Sequence, residues 1–202
     1  MGRGFVFAAL TALALGSVVS GAAEAKTASW EIDPAHSRVG FSVKHLGISR
    51  VVGQFSRFGG EIRADPETGR LRRVSAWVGV DSVDTGMEKR DQHLMADDFF
   101  AAARHPKMKL VAERIDWKGD RFTGVAKLTI RGVTRQVPFE GEILGVQRAS
   151  FGGTEQLRAG YSASAEIDRK AFGLSFDKLS EGVALVGDDV RIQLEIQVAR
   201  EI

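Results

Sequence analysis

Apolar and polar side chains alternate along most of the chain after residue 38. In the first alternating stretch, Val39, Phe41, Val43 and His45 share one face, and the residues between them share the other. A period of two is typical of a β-strand with one buried face and one solvated face. The alternation returns in residues 74–80, 122–130, 137–143, 161–167 and 190–198. We predict a strand in each of these stretches.

Less regular apolar stretches bring the predicted number of strands to about eight. Between residues 53–55 and 58–62 the alternation changes phase, which a β-bulge or a bend permitted by glycine would explain. Met108 and Leu110 begin a further candidate strand. Glycine or proline separates neighbouring stretches in residues 65–69, 116–120 and 131–134, a pattern typical of hairpins. Neighbouring strands are therefore predicted to be antiparallel.

Two connections, residues 84–105 and 170–189, are too long to be hairpin turns. The first is predicted to be helical. Its apolar residues that fall roughly on one helical face are Met87, Leu94, Met95, Phe99 and Phe100. Asp97 or Asp98 is expected to cap a second short helix, which Pro106 would end. The lid and mouth of a binding site would be built from these connections.

Strands with one apolar face need to close on themselves, because an open sheet would leave two edges and one apolar surface in water. A barrel and a two-sheet sandwich both meet this need. The interior of a barrel would combine large residues (Phe41, Phe55, Phe122, Phe139, Tyr161) with small ones (Ala76, Gly124, Ala126, Gly141, Ala163, Ala165). Small inward residues leave room for an elongated apolar ligand. The alternative is a tightly packed sandwich with glycine at its bends.

The first 25 residues have the pattern of a secretory signal peptide. Arg3 supplies a positive charge, residues 5–20 are largely apolar, and Ala23-Glu24-Ala25 matches the small-x-small cleavage pattern. The apolar run has about 16 residues, fewer than the roughly 20 that span a bilayer. We predict cleavage after Ala25, export across a membrane to the periplasm or the medium, and a single mature domain over residues 26–202.

The amino-acid composition excludes several classes of function and site. The chain has 28 Lys and Arg against 26 Asp and Glu, so its net charge of +2 is too small for a dedicated nucleic-acid binder. It has no cysteine, which excludes disulfides, thiolate metal sites and cysteine nucleophiles. One basic cluster, Arg70, Arg72 and Arg73, is expected to be solvated, with contact to anionic lipid at a membrane surface as the alternative.

Asp33, His36 and Ser37 raise the hypothesis of a hydrolase. Consecutive residues of an extended chain point to opposite faces, however, and the chain has no G-x-S-x-G motif. A turn at Asp33, with the Ser37 hydroxyl bonded to backbone, is favoured. The four histidines show no H-x-x-x-H or H-E-x-x-H spacing, so no metal site is predicted.

His45 and three lid residues, Arg90, Asp91 and His93, are candidates for contact with a ligand head group. For His45, a hydrogen bond to a backbone carbonyl is an equal alternative. For the lid residues the favoured role is to pair with one another and hold the lid in place.

Short segments in a fixed order give the chain a recognisable signature. They are residues 30–37 (WEIDPAHS), Phe41, 43–47 (VKHLG), 53–55 (GQF), 82–85 (SVDT), 90–94 (RDQHL), 98–100 (DFF) with Pro106, 128–134 (LTIRGVT) and 167–174 (IDRKAFGL). Together they resemble the YceI-like family of bacterial periplasmic, lipocalin-like, polyisoprenoid-binding proteins. Ala171 departs from the family pattern, in which an acid is common at this position, and this weakens any role assigned to a carboxylate there.

The resemblance implies a mainly β fold, an eight-stranded antiparallel lipocalin-like barrel with a short helical cap. The implied function is binding or carriage, in the periplasm, of a long apolar lipid such as a polyisoprenoid, a prenyl quinone or a fatty-acid-like amphiphile. The alternatives are a lipid-handling enzyme that uses His45 or the Arg90-Asp91-His93 group, and a protein-interaction module of the cell envelope.

The ligand is expected to contact inward residues of the barrel and its cap. These are Val39, Phe41, Val43, His45, Phe55, Ala76, Val78, Phe99, Phe100, Phe122, Ala126, Leu128, Phe139, Tyr161, Ala163, Phe172, Ile192 and Leu194. Arg90, Asp91 and His93 are the candidates for the cap and the head group. No catalytic residue, cofactor or metal is predicted. The expected partners are the lipid and, transiently, a membrane surface, and a dimer is compatible with the sequence.

Overall fold

The computed structural model describes Met1, residues 26–151 and residues 153–202. The predicted signal peptide, residues 1–25, therefore lies outside the described residues except for Met1. In the part of the chain that is described, no helix is both long and apolar enough to cross a membrane.

Strands make up most of the described chain. They are β1 (Ala28–Ile32), β2 (Arg38–His45), β3 (Ser49–Phe55), β4 (Phe58–Ala64), β5 (Leu71–Gly79), β6 (Val83–Asp84), β7 (Lys107–Lys118), β8 (Arg121–Ile130), β9 (Val133–Phe151), β10 (Thr154–Asp168), β11 (Leu179–Ser180), β12 (Val183–Ala184) and β13 (Val186–Glu201). The helix α1 spans Glu88–Leu94, and short 3₁₀ helices span Pro34–His36, Val80–Ser82 and Lys170–Phe172.

The strands close into a barrel. The order β1-β4-β5-β7-β8-β9-β10-β13 runs round the wall through antiparallel pairs, and pairing of β1 with β13 closes the ring. Beyond the ring, β2 pairs with the first half of β13, and β3 pairs with β2. These two strands extend the wall at one end. The predicted eight-stranded antiparallel barrel is confirmed, and the sandwich alternative is wrong.

The predicted hairpins are also present. Residues 65–70 connect β4 to β5, Gly119 and Asp120 connect β7 to β8, and Arg131 and Gly132 connect β8 to β9. Arg131 and Gly132 both have positive φ, 53° and 77°, the conformation of the tight turns that match strand twist. The phase change near residue 56 is a two-residue break between β3 and β4.

The connection over residues 84–105 differs from its prediction. It contains α1, but the second helix is wrong, because residues 96–105 form a series of turns in which Ala101 has a positive φ of 49°. Asp97 and Asp98 cap no helix. The Asp97 carboxylate instead pairs with Arg104 at 3.2 Å. Met87 was expected on the buried helical face, but it precedes α1 and is largely exposed.

Two apolar clusters fill the barrel at its two ends. The cluster at the cap end contains Phe55, Phe99, Leu128, Phe172 and their neighbours. The cluster at the other end is built around Trp30, Phe122 and Tyr161. The space between these clusters is where a ligand could lie.

Candidate functional site

A cavity lies inside the barrel between the two apolar clusters. Its volume is about 250 Å³ and its lining is almost entirely apolar. Phe41, Ala163 and Ile192 border it and are only half-buried, because the cavity leaves part of their surface uncovered. An apolar cavity of about 150 Å³ can hold benzene, and pockets for drug-sized ligands start at about 300 Å³. The cavity therefore suits a slender apolar group.

Most side chains that were predicted to line a cavity border this one. They are Val39, Phe41, Val43, Phe55, Ala76, Val78, Phe99, Phe100, Phe122, Leu128, Phe139, Tyr161, Ala163, Ile192 and Leu194. Three others do not: Ala126 and Phe172 are buried by protein, and His45 is half-buried at the end of β2. The carbonyl of His45 accepts a hydrogen bond from the Ile48 N–H at 3.2 Å. Contact of any of these residues with a ligand stays a prediction.

Further residues that were not predicted from the sequence also border the cavity. Those on strands include Ile32, Phe58, Ile62, Leu71, Val74, Met108, Leu110, Ala112, Ile130, Ile167, Val190 and Ile196. Period-two alternation was a usable signal for most of them. Leu94 and Leu174 come from the two long connections, and Arg169 lies directly before the second one. No period-two pattern there shows which side chains face the interior.

Aromatic side chains close the end of the cavity opposite the cap. The Tyr161 hydroxyl donates a hydrogen bond to the Gly69 carbonyl at 2.7 Å, and the Trp117 indole N–H donates to the Leu71 carbonyl at 3.2 Å. The Phe122 ring lies 4.9 Å from that of Trp117. Burial raises the pKa of the Tyr161 phenol well above its ordinary value. These contacts hold the aromatic side chains in place, and we call this end of the cavity the floor.

Two glycines were expected to leave room for a ligand, but neighbouring aromatic rings occupy the space beside them. A Cβ atom added to Gly124 would lie 2.7 Å from the Phe139 ring, and one added to Gly141 would lie 2.5 Å from the Phe122 ring. These glycines therefore accommodate aromatic packing inside the wall. The space for a ligand lies beside Ala76 and Ala163, which do border the cavity.

The roof of the cavity comes from the two long connections. Leu94, Phe99, Phe100 and Leu174 border the cavity from this side. The Phe100 ring meets the Phe55 ring edge-on at a centroid distance of 6.0 Å. The roof is thus apolar and in direct contact with the wall.

A second layer of contacts holds the Phe99 part of the roof. The Phe99 ring stacks on Phe176 at 4.8 Å. The His93 ring packs edge-on against both rings, at 5.0 Å and 5.3 Å. The His93 imidazole also lies 3.0 Å from the Asp98 carboxylate. His93 therefore joins the helix to both connections.

Arg90 and Asp91 were predicted to pair with each other. In the structure they do not, and both bind Thr85 instead. The Asp91 carboxylate accepts hydrogen bonds from the Thr85 N–H and hydroxyl, at 2.9 Å and 2.5 Å. The Arg90 guanidinium donates to the Thr85 hydroxyl and carbonyl, each at 2.7 Å. Neither residue borders the cavity. The two side chains join the start of α1 to Thr85, a partner that was not predicted, and a role in holding the cap stays a prediction.

Arg169 is the buried charge of the cap. Only 3% of its side chain is exposed. Its guanidinium donates to four carbonyl oxygens and one carboxylate, those of Gly187, Leu174, Phe176, Val186 and Asp188, at 2.7 to 3.3 Å. A guanidinium has five N–H donors, so each has an acceptor. Arg169 thereby ties residues 174–176 to residues 186–188 beside the cavity.

A second arginine reaches the cap from the opposite side. Arg131, in the β8–β9 turn, donates to the carbonyl oxygens of Asp97 and Phe99. The positive φ of Arg131 is set by the tight turn, and its side chain thus bridges the barrel rim to the roof. The sequence analysis assigned no role to Arg131 or Arg169.

Asp33 has a structural role. Its carboxylate accepts hydrogen bonds from His36 Nδ1 (2.9 Å), Arg158 (2.9 Å) and Gln197 (3.1 Å). The Ser37 hydroxyl donates to the Asp33 carbonyl at 2.6 Å and not to His36, which confirms the predicted turn. The group holds the 3₁₀ helix between β1 and β2 against β13, so the seam of the barrel depends on it.

We expect the Asp33 group to make the fold acid-sensitive. Burial raises the pKa of Asp33, but the hydrogen bonds from His36, Arg158 and Gln197 outweigh it and lower the pKa below its usual 3.8. A carboxyl with a lowered folded-state pKa contributes stability above about pH 4, and this is lost as the pH falls through the folded-state pKa. Asp33→Asn should lower the free energy of unfolding by about 2 kcal/mol at neutral pH.

Urea unfolding of the wild type and Asp33→Asn, followed from about pH 7 to about pH 2, measures this effect. The difference in the free energy of unfolding between the two proteins should become smaller as the pH falls. Asp120→Asn, in the exposed β7–β8 turn, is the matched control and should leave the curve unchanged. A constant difference at all pH values would contradict the role of the ionised Asp33.

The remaining polar candidates lie away from the cavity. Among residues 26–151 and 153–202, no group of three or more His, Asp and Glu side chains could hold a metal ion. Within the basic cluster, Arg73 pairs with Glu113 at 3.0 Å, and the Arg70 guanidinium lies 6.0 Å from the Trp117 ring. Both contacts are at the floor end of the barrel.

Comparison with known proteins identifies the family. The family model described as the YceI-like domain matches residues 30–198. The chain belongs to the YceI-like family. A UPF0312 protein of Pseudomonas paraeruginosa is 34% identical over 170 residues, which cover 83% of this chain and 87% of the relative.

Solved structures share the fold of this YceI-like domain. The crystal structure of the Campylobacter jejuni YCEI protein is similar with a TM-score of 0.63 and 30% identity, over 79% of this chain and 89% of that one. A polyisoprenoid binding domain from Saccharophagus degradans is similar with a TM-score of 0.58 and 15% identity, over 84% and 97% of the two chains. At this identity the second likeness concerns the fold alone.

The segments that carried the resemblance fall mainly on the cap and rim of the YceI-like domain. Residues 82–85, 90–94 and 98–100 contain Thr85 and the contacts of α1. Residues 128–134 contain the Arg131 turn, and residues 167–174 contain Arg169. The most recognisable parts of the sequence are thus those that hold the roof over the cavity.

Proposed function

We propose that this YceI-like protein binds a long apolar lipid in its barrel cavity and carries it in the periplasm. The observation that carries the proposal is the apolar cavity of about 250 Å³ inside the barrel, with an aromatic floor and a roof made of loops. A polyisoprenoid, a prenyl quinone or a fatty-acid-like amphiphile has a chain slender enough to enter it. The cavity accepts one end or part of such a chain, and the remainder would leave past the roof.

The family supports the proposal. The Saccharophagus degradans domain, which has the same fold, is described as a polyisoprenoid binding domain. The polar groups proposed as enzyme candidates do not favour catalysis on a lipid in the cavity, because His45, Arg90, Asp91 and His93 do not border it. Arg90, Asp91 and His93 are occupied by Thr85 and Asp98.

The free energies of lipid transfer indicate that the roof controls the rate of lipid exchange. Moving a methylene group from water into an apolar site gains about 0.8 kcal/mol, so a long lipid in the periplasm needs a carrier. A bilayer interior is as apolar as the cavity, so transfer between the two nearly cancels in free energy. The rate of exchange would then depend on how easily the roof opens.

Native mass spectrometry of the protein, purified after export from cells that express the full chain, tests the proposal. We expect an apolar molecule bound to the protein, and a protein mass that corresponds to residues 26–202. A protein that remains empty after incubation with prenols and fatty acids would contradict lipid binding and favour the envelope protein-interaction module. A protein mass that still includes residues 1–25 would contradict the predicted cleavage.

Loosening the roof should accelerate exchange. Phe99→Ala with Phe100→Ala removes the ring contacts with Phe176 and Phe55, each worth about 0.5–1.5 kcal/mol. We expect exchange of a fluorescent prenyl or acyl probe with vesicles to become faster by about tenfold. Phe122→Ala, which removes the same ring from the floor, is the control for simple enlargement of the cavity. Equal acceleration in both variants, or none, would refute gating by the roof.

A further inference from the structure

Two hairpin turns lie side by side at the cap end of the barrel, and we call the side of the cavity beneath the roof its mouth. The β2–β3 turn contains Leu46 and Gly47, and the β11–β12 turn contains Glu181 and Gly182, all with positive φ. The Leu46 N–H donates a hydrogen bond to the Leu185 carbonyl at 3.2 Å, which joins the two hairpins. We call residues 46–48 together with residues 179–183 the lip.

The lip exposes large apolar side chains. Ile48 is 87% exposed, Leu179 62% and Val183 46%. Single exposed apolar residues are normal on a protein surface, but several on two adjacent turns mark an interaction surface. Short hairpin tips are sites where polar residues are usual. The apolar tips therefore call for a partner that covers them.

Unpaired cations accompany the apolar tips. Lys44 and Arg50 are exposed and lie directly opposite each other in the β2–β3 register. Like charges at such positions repel, and neither cation forms an ion pair within residues 26–151 and 153–202. Lys178, next to Leu179, lies 5.8 Å from the Phe176 ring.

Two of the acids near the lip are already paired with cations outside it. The Asp177 and Asp188 carboxylates bind Lys170 at 3.3 Å and 3.1 Å, and Asp188 also binds Arg169. Glu181, at the tip of its turn, and Asp189, on β13, are exposed acids, and the three cations Lys44, Arg50 and Lys178 outnumber them. Apolar tips flanked by unpaired cations fit a surface with an anionic layer over an apolar layer.

The lip adjoins the cavity. Val186, three residues beyond Val183, borders the cavity and pairs with His45 at the end of β2. Leu185 packs against the apolar cluster at the cap end. A surface that binds the lip would therefore face the mouth of the cavity.

We propose that the lip docks the protein on an anionic bilayer. Ile48, Leu179 and Val183 enter the boundary between head groups and acyl chains, and Lys44, Arg50 and Lys178 bind anionic lipid head groups. Docking in this orientation brings the cavity mouth to the membrane. The inference extends the proposed lipid carriage by naming the surface used for exchange, but docking itself requires no bound lipid.

Sedimentation with vesicles tests the docking. The probes are phosphatidylcholine vesicles with and without about one third phosphatidylglycerol, at low and at physiological salt. The wild type should bind the anionic vesicles, and less so at higher salt. Ile48→Ser with Leu179→Ser and Val183→Ser should lower the partition coefficient by about tenfold or more. Lys44→Gln with Arg50→Gln should lower it about 30-fold on the anionic vesicles only, since each cation near such a surface contributes about fivefold.

A matched control separates the lip from general surface hydrophobicity. Leu144 and Val125, on β9 and β8, are 62% and 47% exposed, as Leu179 and Val183 are. Leu144→Ser with Val125→Ser should leave vesicle binding unchanged. Equal loss in this control, or wild-type binding by the lip variants, would overturn the proposal, as would a wild type that binds no vesicles. Native mass spectrometry of the lip variants should still detect the bound lipid, so failure of docking and failure of lipid binding can be told apart.

Discussion

Replacing Arg169 with Met should lower the free energy of unfolding by about 3–5 kcal/mol. The substitution removes a buried guanidinium and leaves the carbonyls of Leu174, Phe176, Val186 and Gly187 without their donor. Buried acceptors that lose a hydrogen-bond partner retain their desolvation penalty. Asp188 would also lose one of its two cations. Equilibrium unfolding in urea measures the change.

The control is Arg148→Met. Arg148 pairs with Glu155 at 3.1 Å on the surface, with both side chains more than half exposed, and such a pair contributes about 1 kcal/mol or less. If Arg169→Met lowers the free energy of unfolding by no more than Arg148→Met does, Arg169 does not hold residues 174–176 to residues 186–188. Because Arg169 borders the cavity, a folded Arg169→Met protein should also exchange lipid faster than the wild type.

Replacing Ala163 with Phe should abolish lipid binding while the barrel remains folded. Ala163 borders the cavity from β10 and pairs with Gly141 and Leu194 on the neighbouring strands. A benzene-sized group needs about 150 Å³, which is more than half of the roughly 250 Å³ available. We expect bound lipid, measured by native mass spectrometry, to fall at least tenfold, with a loss of stability below about 2 kcal/mol.

The control places the same ring on the outside of the same strand. Ser164 follows Ala163, so alternation puts its side chain on the opposite face of the wall. Ser164→Phe should retain the lipid. If Ala163→Phe is folded and still carries as much lipid as the wild type, the ligand does not occupy the cavity, and the proposed function in its present form is wrong.

The strands of this protein could be predicted because burial imposes a period that the sequence records. Residues 122–130 and 190–198 alternate without interruption, and both form continuous strands of the barrel wall. The turn at Arg131 and Gly132 was predicted for a related reason, since few residues adopt positive φ. Local rules were sufficient for these elements.

The size of the cavity could not be predicted from the same pattern. Gly124 and Gly141 were expected to leave space, but rings from adjacent strands occupy it. Alternation tells which face a residue occupies, and it does not tell how far a neighbouring side chain leans across the interior. Ala163 and Gly141 lie opposite each other, yet the side chain at Ala163 borders the cavity while the space at Gly141 is filled by Phe122.

The sequence by itself determined the antiparallel strands with one apolar face, because every residue on such a face has to leave water, but the pattern left a barrel and a two-sheet sandwich open. The pairing of β1 with β13 in the structure decided for the barrel. The cap was decided only by the tertiary structure. Arg131 and Arg169 hold it through partners that are 5 to 34 residues away along the chain, and no local period marks such contacts. Their hydrogen bonds exist only once the barrel has brought β8, β10 and β13 to the same end.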